Sequence, residues 1–299
     1  MNTPMSYAAY LEKEGYTKST VKTYEHCVER FLRWANKLQY HIPTFDYKAA
    51  LRYVKYLKRK QRKTRTINAL LIGIRPYFNY LIDIGVHTQN PFNDIVIKGE
   101  PKVRMLSNLL SADELEDLYY SYQITQSKNP LHVLTHKRNK VITGLLVYQG
   151  LSTADLQRIE LEHLHLQKGK VYIPQGNLGN ARELELKPWQ IIPLMEYVNE
   201  VRPELLRRIK IDTEALIFAK TGKLVGVIET LIKKLRKTNQ KVGNAHSIRS
   251  SVIVLWLSRY NLREVQYMAG HKRISTTEQY QQQDLEELQN TIAKFHPIH

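Results

Sequence analysis

The sequence predicts a mainly α protein in two parts: a four-helix N-terminal domain over residues 1–86, and a mostly helical domain with one small β-sheet over 110–299. Three observations predict it. Apolar side chains recur every three or four residues through most of the first 84 positions and again beyond residue 110, the period of helices that bury one face. That period stops between Val86 and Leu109, where Asn90-Pro91, Gly99 and Pro101 mark a connector, set at 87–109. Only Val171–Pro174 and Arg182–Lys187 read as strands, with Gly176, Gly179 and Asn180 supplying the turn of a hairpin between them. At 299 residues the chain can bury a core in each part.

In the first domain, a short helix is expected over residues 5–15, with Tyr7, Tyr10 and Leu11 on one side and Gly15 ending it. The next runs from about Ser19 to Leu38, carrying Val21, Tyr24, Val28, Phe31, Ala35 and Leu38 at helical spacing, with Thr17, Ser19 or Thr20 as cap. A third, about Tyr47 to Arg62, turns Leu51, Val54 and Leu57 inward. The fourth, about Thr64 to Ile84, sends Ile67, Leu70, Leu71, Ile74, Phe78 and Leu81 to the core. Pro76 lies inside it and predicts a kink or a break near Arg75, since proline removes a backbone donor and collides with the preceding turn.

The second domain starts near Ser111, where Ser111 and Glu114 have the form of a capping box for a helix to about Tyr122. A buried helix follows over His136–Tyr148, then the hairpin, then helices at about Gln190–Lys210 and Val225–Asn239. Residues Ser247–Arg259 carry Ile248, Val252, Leu255 and Trp256 inward on a helix, and Ala269-Gly270 reads as a helix end with glycine in the left-handed cap.

Charge selects the class of partner. The formal net charge is +17, and residues 1–104 hold 19 Lys and Arg against 8 Asp and Glu. The densest run, Lys55, Lys58, Arg59, Lys60, Arg62, Lys63 and Arg65, places seven cations and no acid within eleven residues. That exceeds what a solvated helix face needs and suits a phosphate backbone. An anionic membrane is the rival polyanion, but no basic amphipathic helix with aromatic anchors is present. No apolar run is long enough to span a bilayer and residues 1–9 lack the pattern of a signal peptide, so the cytosol is expected. Cys27, the sole cysteine, reads as a small buried hydrophobe; it rules out an intrachain disulfide, and clustered Cys and His for structural zinc are lacking.

Chemistry concentrates between Gly243 and Tyr280. His246 and Arg249, three apart on a helix, share a face. A guanidinium offers forked donors to phosphate oxygens, and an imidazole beside it can donate to the same group or move a proton near neutrality. His271 and Tyr280 follow, the tyrosine a candidate nucleophile. Singly, each reads as packing or surface. In order, His246-Ser-Ile-Arg249, Leu262-Arg-Glu-Val-Gln-Tyr-Met-Ala-Gly270-His271 and Thr276-Thr-Glu-Gln-Tyr280 resemble the C-terminal signature of the tyrosine recombinases, the phage-integrase family, in residue type, order and interval.

The resemblance covers nearly the whole chain and implies the tyrosine recombinase fold, with a core-binding, SAM-like domain ahead of a catalytic one; Asn90-Pro91-Phe92 stands where the family often has an Asn-Pro pair. It implies a site-specific recombinase or integrase that cuts double-stranded DNA at the nucleoid through a 3′-phosphotyrosyl link. Tyr280 would be the nucleophile, Arg249 would neutralise the phosphate, His271 would donate a hydrogen bond and His246 would help take the tyrosine proton. No cofactor, metal or small-molecule substrate is implied. A tetramer on DNA is implied as well, with Asp284–Phe295 docking into a neighbouring copy; folding back on its own domain is the other reading of that segment.

Two expected residues are missing. Ser152, in Gln149-Gly-Leu-Ser-Thr-Ala-Asp-Leu156, stands where the family has its first catalytic arginine. The hairpin turn, Pro174-Gln-Gly-Asn-Leu-Gly-Asn-Ala181, lacks the family's lysine, and neither Gln175 nor Asn177 is a general acid. Arg158, six residues past Ser152, is expected to face elsewhere on a continuous helix. Lys168, Lys170 and Arg182 flank the turn; surface contact with DNA is the expected role, and reaching into the site in place of the missing residues is the other reading. Three readings follow: an active recombinase; a weakened relative that binds DNA as an accessory factor; and a basic helical protein that binds RNA or a membrane.

Overall fold

A computed structural model describes residues 5–98, 108–124, 127–177 and 179–281. The chain divides into two compact units between residues 102 and 103.

Among the described residues the first unit holds four α-helices, α1 (Tyr7–Lys13), α2 (Lys18–Lys37), α3 (Tyr47–Arg59) and α4 (Thr64–Asp83). Ser6, Thr17 and Asp46 cap the first three by accepting from the backbone N–H three residues on. Phe31 is the hub of the core, with ring centroids of Phe45, Tyr53, Phe92 and Phe78 at 5.1, 5.3, 5.5 and 5.7 Å in edge-on arrangements. Cys27 is buried as expected, where α2 and α4 cross closely: a Cβ on Gly73 would stand 2.8 Å from its Sγ.

Several details differ from the sequence reading. Leu51 and Leu38 face solvent. The buried face of α3 is Ala50, Tyr53, Val54 and Leu57, one helical step away from Leu51, because the large Tyr53 ring takes the core position. No break occurs at Pro76; α4 runs through it as one helix, since Ile74, Pro76 and Phe78 are packed in the core and tertiary burial outweighs the lost hydrogen bond. Residues 87–97, read as connector, belong to the first core. Phe92 and Ile95 are buried, Arg75 donates to the carbonyls of Phe92 (3.0 Å) and Ile95 (2.9 Å), and Asn68 pairs both ways with the backbone of Ile97. Their anchors lie on α4, too far back in sequence for periodicity to reveal.

The second unit is built on α5 (Ala112–Tyr120), α6 (Pro130–Val147), α7 (Thr153–Arg158), a three-stranded antiparallel sheet, α8 (Pro188–Glu196), α9 (Arg202–Ile209), α10 (Leu224–Thr238), α11 (Ala245–Leu257) and α12 (Leu262–Ala269). The Ser111–Glu114 capping box is present. Helix α6 starts earlier than expected because Asn129 caps it and Pro130 occupies the first position, where a missing N–H costs nothing. A single π turn joins α8 to α9. The sheet runs β1 (Leu164–His165), β2 (Lys170–Ile173), β3 (Arg182–Glu185), with Val171 opposite both Leu164 and Leu184; the two-residue β1 left no sequence signal. Val141, Ile142, Leu145 and Leu146 of α6 and Ile248, Val252 and Ile253 of α11 share the core. A further helix begins at residue 274 and runs to 281, the last described residue. Asp284–Phe295 lie outside the described residues. Among the described residues, no helix is long and apolar enough to cross a membrane.

Candidate active site

Three backbone devices bring the reactive groups together. Helix α11 starts under a capping box from Asn244 and Ser247, which sets His246 in its first turn and Arg249 at the start of its second. Helix α12 ends at Gly270, whose φ of 68° is the left-handed cap expected from sequence, and this turn aims His271 back into the unit. Gly150, also left-handed, lies close against Val252 of α11, where a Cβ would stand 3.0 Å from its Cγ1.

Arg249 is buried where these devices meet. Its Nη1 donates to the Gly150 carbonyl at 2.6 Å and its Nη2 to the Ala269 carbonyl at 2.5 Å, so two chain turns fix its plane. Burial, and then the neighbouring Arg182 charge, push its pKa down, yet a guanidinium remains a cation at any ordinary pH. The Tyr280 phenol lies within electrostatic reach of it.

His271, equally buried, bonds through Nδ1 to Thr277 Oγ1 at 2.9 Å, and its ring stacks on Tyr280 with centroids 5.8 Å apart and planes 13° off parallel. Burial, then Arg249, Arg182 and His246, lower its pKa to about 4. It is therefore neutral at pH 7 and acts as a hydrogen-bonding imidazole. His246 is exposed at the rim, close enough to act on His271. The four residues singled out from sequence thus converge.

Ser152 is committed to local structure. It caps α7: its Oγ accepts from Asp155 N–H at 3.1 Å and donates to Asp155 Oδ2 at 2.7 Å. Asp155 gathers cations, Arg158 at 2.7 Å on Oδ1, Arg182 at 3.1 Å on Oδ2 and Arg249 at 3.9 Å on Oδ2. Burial alone would raise the Asp155 pKa, but the Arg182 charge and the Ser152 hydrogen bonds reverse this and hold it below the ordinary range.

Two expectations are corrected here. Arg182 is no surface DNA contact; it is 2% exposed, because strand alternation puts it on the inward face with Leu184 and Leu186. Arg158 does not point away. Ser152 precedes α7 rather than lying on it, so Arg158 returns to Asp155, its guanidinium against Gly176 of the hairpin turn. Sequence reasoning also missed Asp155 and Thr277, and Lys272, whose Nζ donates to the Asn177 carbonyl at 2.9 Å. That contact brings an ammonium onto the lysine-free turn, which docks on residues 270–272 through Asn180 N–H to the Gly270 carbonyl. The signal for Arg182 was available: it is a cation in phase with two leucines.

In the first unit, Lys55, Lys58, Arg59, Lys60, Arg62, Lys63 and Arg65 are all exposed. Helix α2 enlarges the patch, since Arg30, Arg33 and Lys37 share with Lys60 and Arg62 a hollow floored by Trp34 and Tyr56. Arg52, Lys55 and Arg59 line a second one beside Tyr40 and Tyr56.

A helical first unit, and a second unit that holds a buried arginine and a tyrosine stacked on histidine, point to a class. The profile of the phage integrase family matches residues 108–287, and that of the phage integrase N-terminal SAM-like domain matches 5–85. The chain belongs to the phage integrase family of tyrosine recombinases. Among its relatives, the tyrosine recombinase XerA of Thermococcus kodakarensis is 25% identical, covering 96% of this chain and 93% of that one. The tyrosine recombinase XerD of Listeria innocua is 24% identical, covering 95% of each. In fold, the chain resembles the XerH site-specific recombinase in its post-cleavage complex with a palindromic difH substrate, at TM-score 0.70 and 17% identity over 96% of this chain and 84% of that one.

Proposed function

We propose that this chain is a site-specific DNA strand-exchange enzyme that works through a phosphotyrosyl intermediate. The observation that carries it is Tyr280 stacked on a buried, neutral His271 and within electrostatic reach of the doubly anchored Arg249. Tyr280 Oη attacks a DNA phosphorus, a P–Oη bond forms, and the P–O5′ bond breaks. The tyrosine proton passes to His246, and the departing 5′ oxygen takes up a proton. A phosphodiester is exchanged for a phosphodiester, so the step needs no ATP. Arg249 neutralises a non-bridging oxygen, and His271, held by Thr277, hydrogen-bonds the same phosphate. The basic hollows of the first unit bind the duplex backbone. Strand exchange between two duplexes calls for four copies, assembled through Asp284–Phe295.

The rival reading, DNA binding without cleavage, draws on Ser152 being committed to its cap and on the turn without lysine. Nicked duplexes from the DNA flanking the gene, incubated with the full chain and with Tyr280→Phe, separate the two. A denaturation-resistant protein–DNA adduct from the parent alone supports the enzyme. Tight, site-selective binding with no adduct supports the accessory factor.

A further inference from the structure

We propose that Arg182 is the second guanidinium on the scissile phosphate, acting from strand β3 in place of the arginine absent at Ser152; this rests on the phosphotyrosyl reading above. Ser152 has no capacity left for the task, as its hydroxyl both accepts from and donates to Asp155. Arg182 lies on the inner face of the sheet with Nη2 3.1 Å from Asp155 Oδ2, and the same oxygen stands 3.9 Å from Arg249 Nη1. One carboxylate therefore brackets both guanidiniums, and both act electrostatically on His271.

The seat for Arg182 is built. A Cβ at position 270 would stand 2.5 Å from its Nη1, so the glycine that supplies the left-handed turn before His271 also leaves room for the guanidinium.

Charge accounting points the same way. Among the described residues, two buried arginines face a single buried carboxylate, and Arg158 adds a third cation to that carboxylate's other oxygen. Excess positive charge held away from water is costly unless an anion completes the group. A phosphodiester carries one negative charge. Arg182 has donors to offer it: among the described residues, Nε is buried without a partner, and Nη1 has only a 3.5 Å contact to the Asn180 carbonyl. A fork of N–H donors matches the non-bridging oxygens of a phosphate.

A residue that merely ties β3 to α7 through Asp155 would be insensitive to the charge of the substrate, and this decides the test. Parent, Arg182→Ala and Arg182→Met full-length chains are compared for adduct formation on nicked duplexes carrying either a phosphodiester or a neutral methylphosphonate at the scissile position. Thermal melts establish that each variant is folded; Arg182→Met keeps the packing volume should alanine unfold the unit. On phosphodiester, the variants are expected to lose about 10²- to 10³-fold in rate. On methylphosphonate, which has no charge to neutralise, they should come within about tenfold of the parent, as each tenfold is only 1.36 kcal/mol of barrier. Equal losses on the two substrates, or undiminished cleavage of phosphodiester, overturn the proposal while leaving the phosphotyrosyl reading intact. A parent that forms adduct on neither substrate overturns both.

Discussion

Replacing Asp155 by asparagine tests how the candidate site is held together. The carboxylate is buried and meets guanidinium groups at 2.7, 3.1 and 3.9 Å. Asparagine keeps the volume, removes the charge, and turns an amide N–H toward donors that have no use for it. Removing one partner from a buried ion pair costs about 3–5 kcal/mol, because the remaining charge is left uncompensated. In a unit of this size each kcal/mol moves the melting temperature by about 2–4 °C, so a fall of about 6–20 °C is expected in the transition of the second unit. Calorimetry of parent and Asp155→Asn resolves it. The sign of the pH dependence is fixed too. A carboxyl whose folded pKa is depressed contributes fully above its unfolded value and loses that contribution as pH falls through the folded one, so the gap between the proteins should stay constant from pH 5 to 8 and close only in strong acid. A melting temperature within about 2 °C of the parent refutes this account of the arginine cluster.

Other outcomes follow from the same geometry. Gly270→Ala meets both a left-handed φ and the Arg182 guanidinium, whereas Gly222→Ala meets a similar φ with nothing within 4 Å. Gly222→Ala should lose about 1–2 kcal/mol of stability, Gly270→Ala should lose more because the guanidinium must also move, and only Gly270→Ala should lose adduct formation; equal activity in the two would remove Arg182 from the site. With the His271 pKa near 4 when folded and about 6.5 when unfolded, the unfolded chain binds a proton that the folded one refuses, so stability falls as pH drops through that window. The loss reaches about 3 kcal/mol, and denaturant titrations of His271→Gln should show a flatter slope over it; an unchanged slope contradicts the assignment. Neutralising Lys58, Lys60, Arg62 and Lys63 together should lower the slope of log affinity against log salt by up to about 3–4 on duplex DNA, and a weaker affinity at constant slope would count against backbone contact. Lys272, whose ammonium meets the turn that lacks a lysine, is the proposed donor of the proton taken up by the 5′ oxygen; Lys272→Ala should slow cleavage of an ordinary phosphodiester but spare a substrate with sulfur as the 5′ leaving atom, which needs no protonation, and equal slowing on both would exclude that role.

The features legible in the sequence were local or periodic. Capping at Thr17 and Ser111 and the left-handed Gly270 each depend on a few adjacent residues, and the structure has them where expected. Spacing also placed the buried faces of α6 and α11. What it missed depends on pairs distant in the chain. Phe92 and Ile95 are held by Arg75, and Lys272 meets a turn nearly a hundred residues upstream. Pro76 obeys its packing rather than its propensity. Arg182 is the instructive case. Its charge suggested a surface, while its phase with Leu184 and Leu186 put it inside, and the phase decided because the sheet closes over that face. Departures from the family at Ser152 and in the turn were equally plain in the sequence. That Asp155 gathers other arginines around it was not, since the three come from α7, β3 and α11.

The most direct measurement is the location of the phosphate. The adduct formed on nicked DNA is digested with nuclease and protease, and the modified peptide is sequenced by mass spectrometry. A nucleotide joined through its 3′ phosphate to Tyr280, with a free 5′ hydroxyl on the released strand, is the predicted result. The same phosphate on another side chain, or a 5′-linked adduct, would contradict the account.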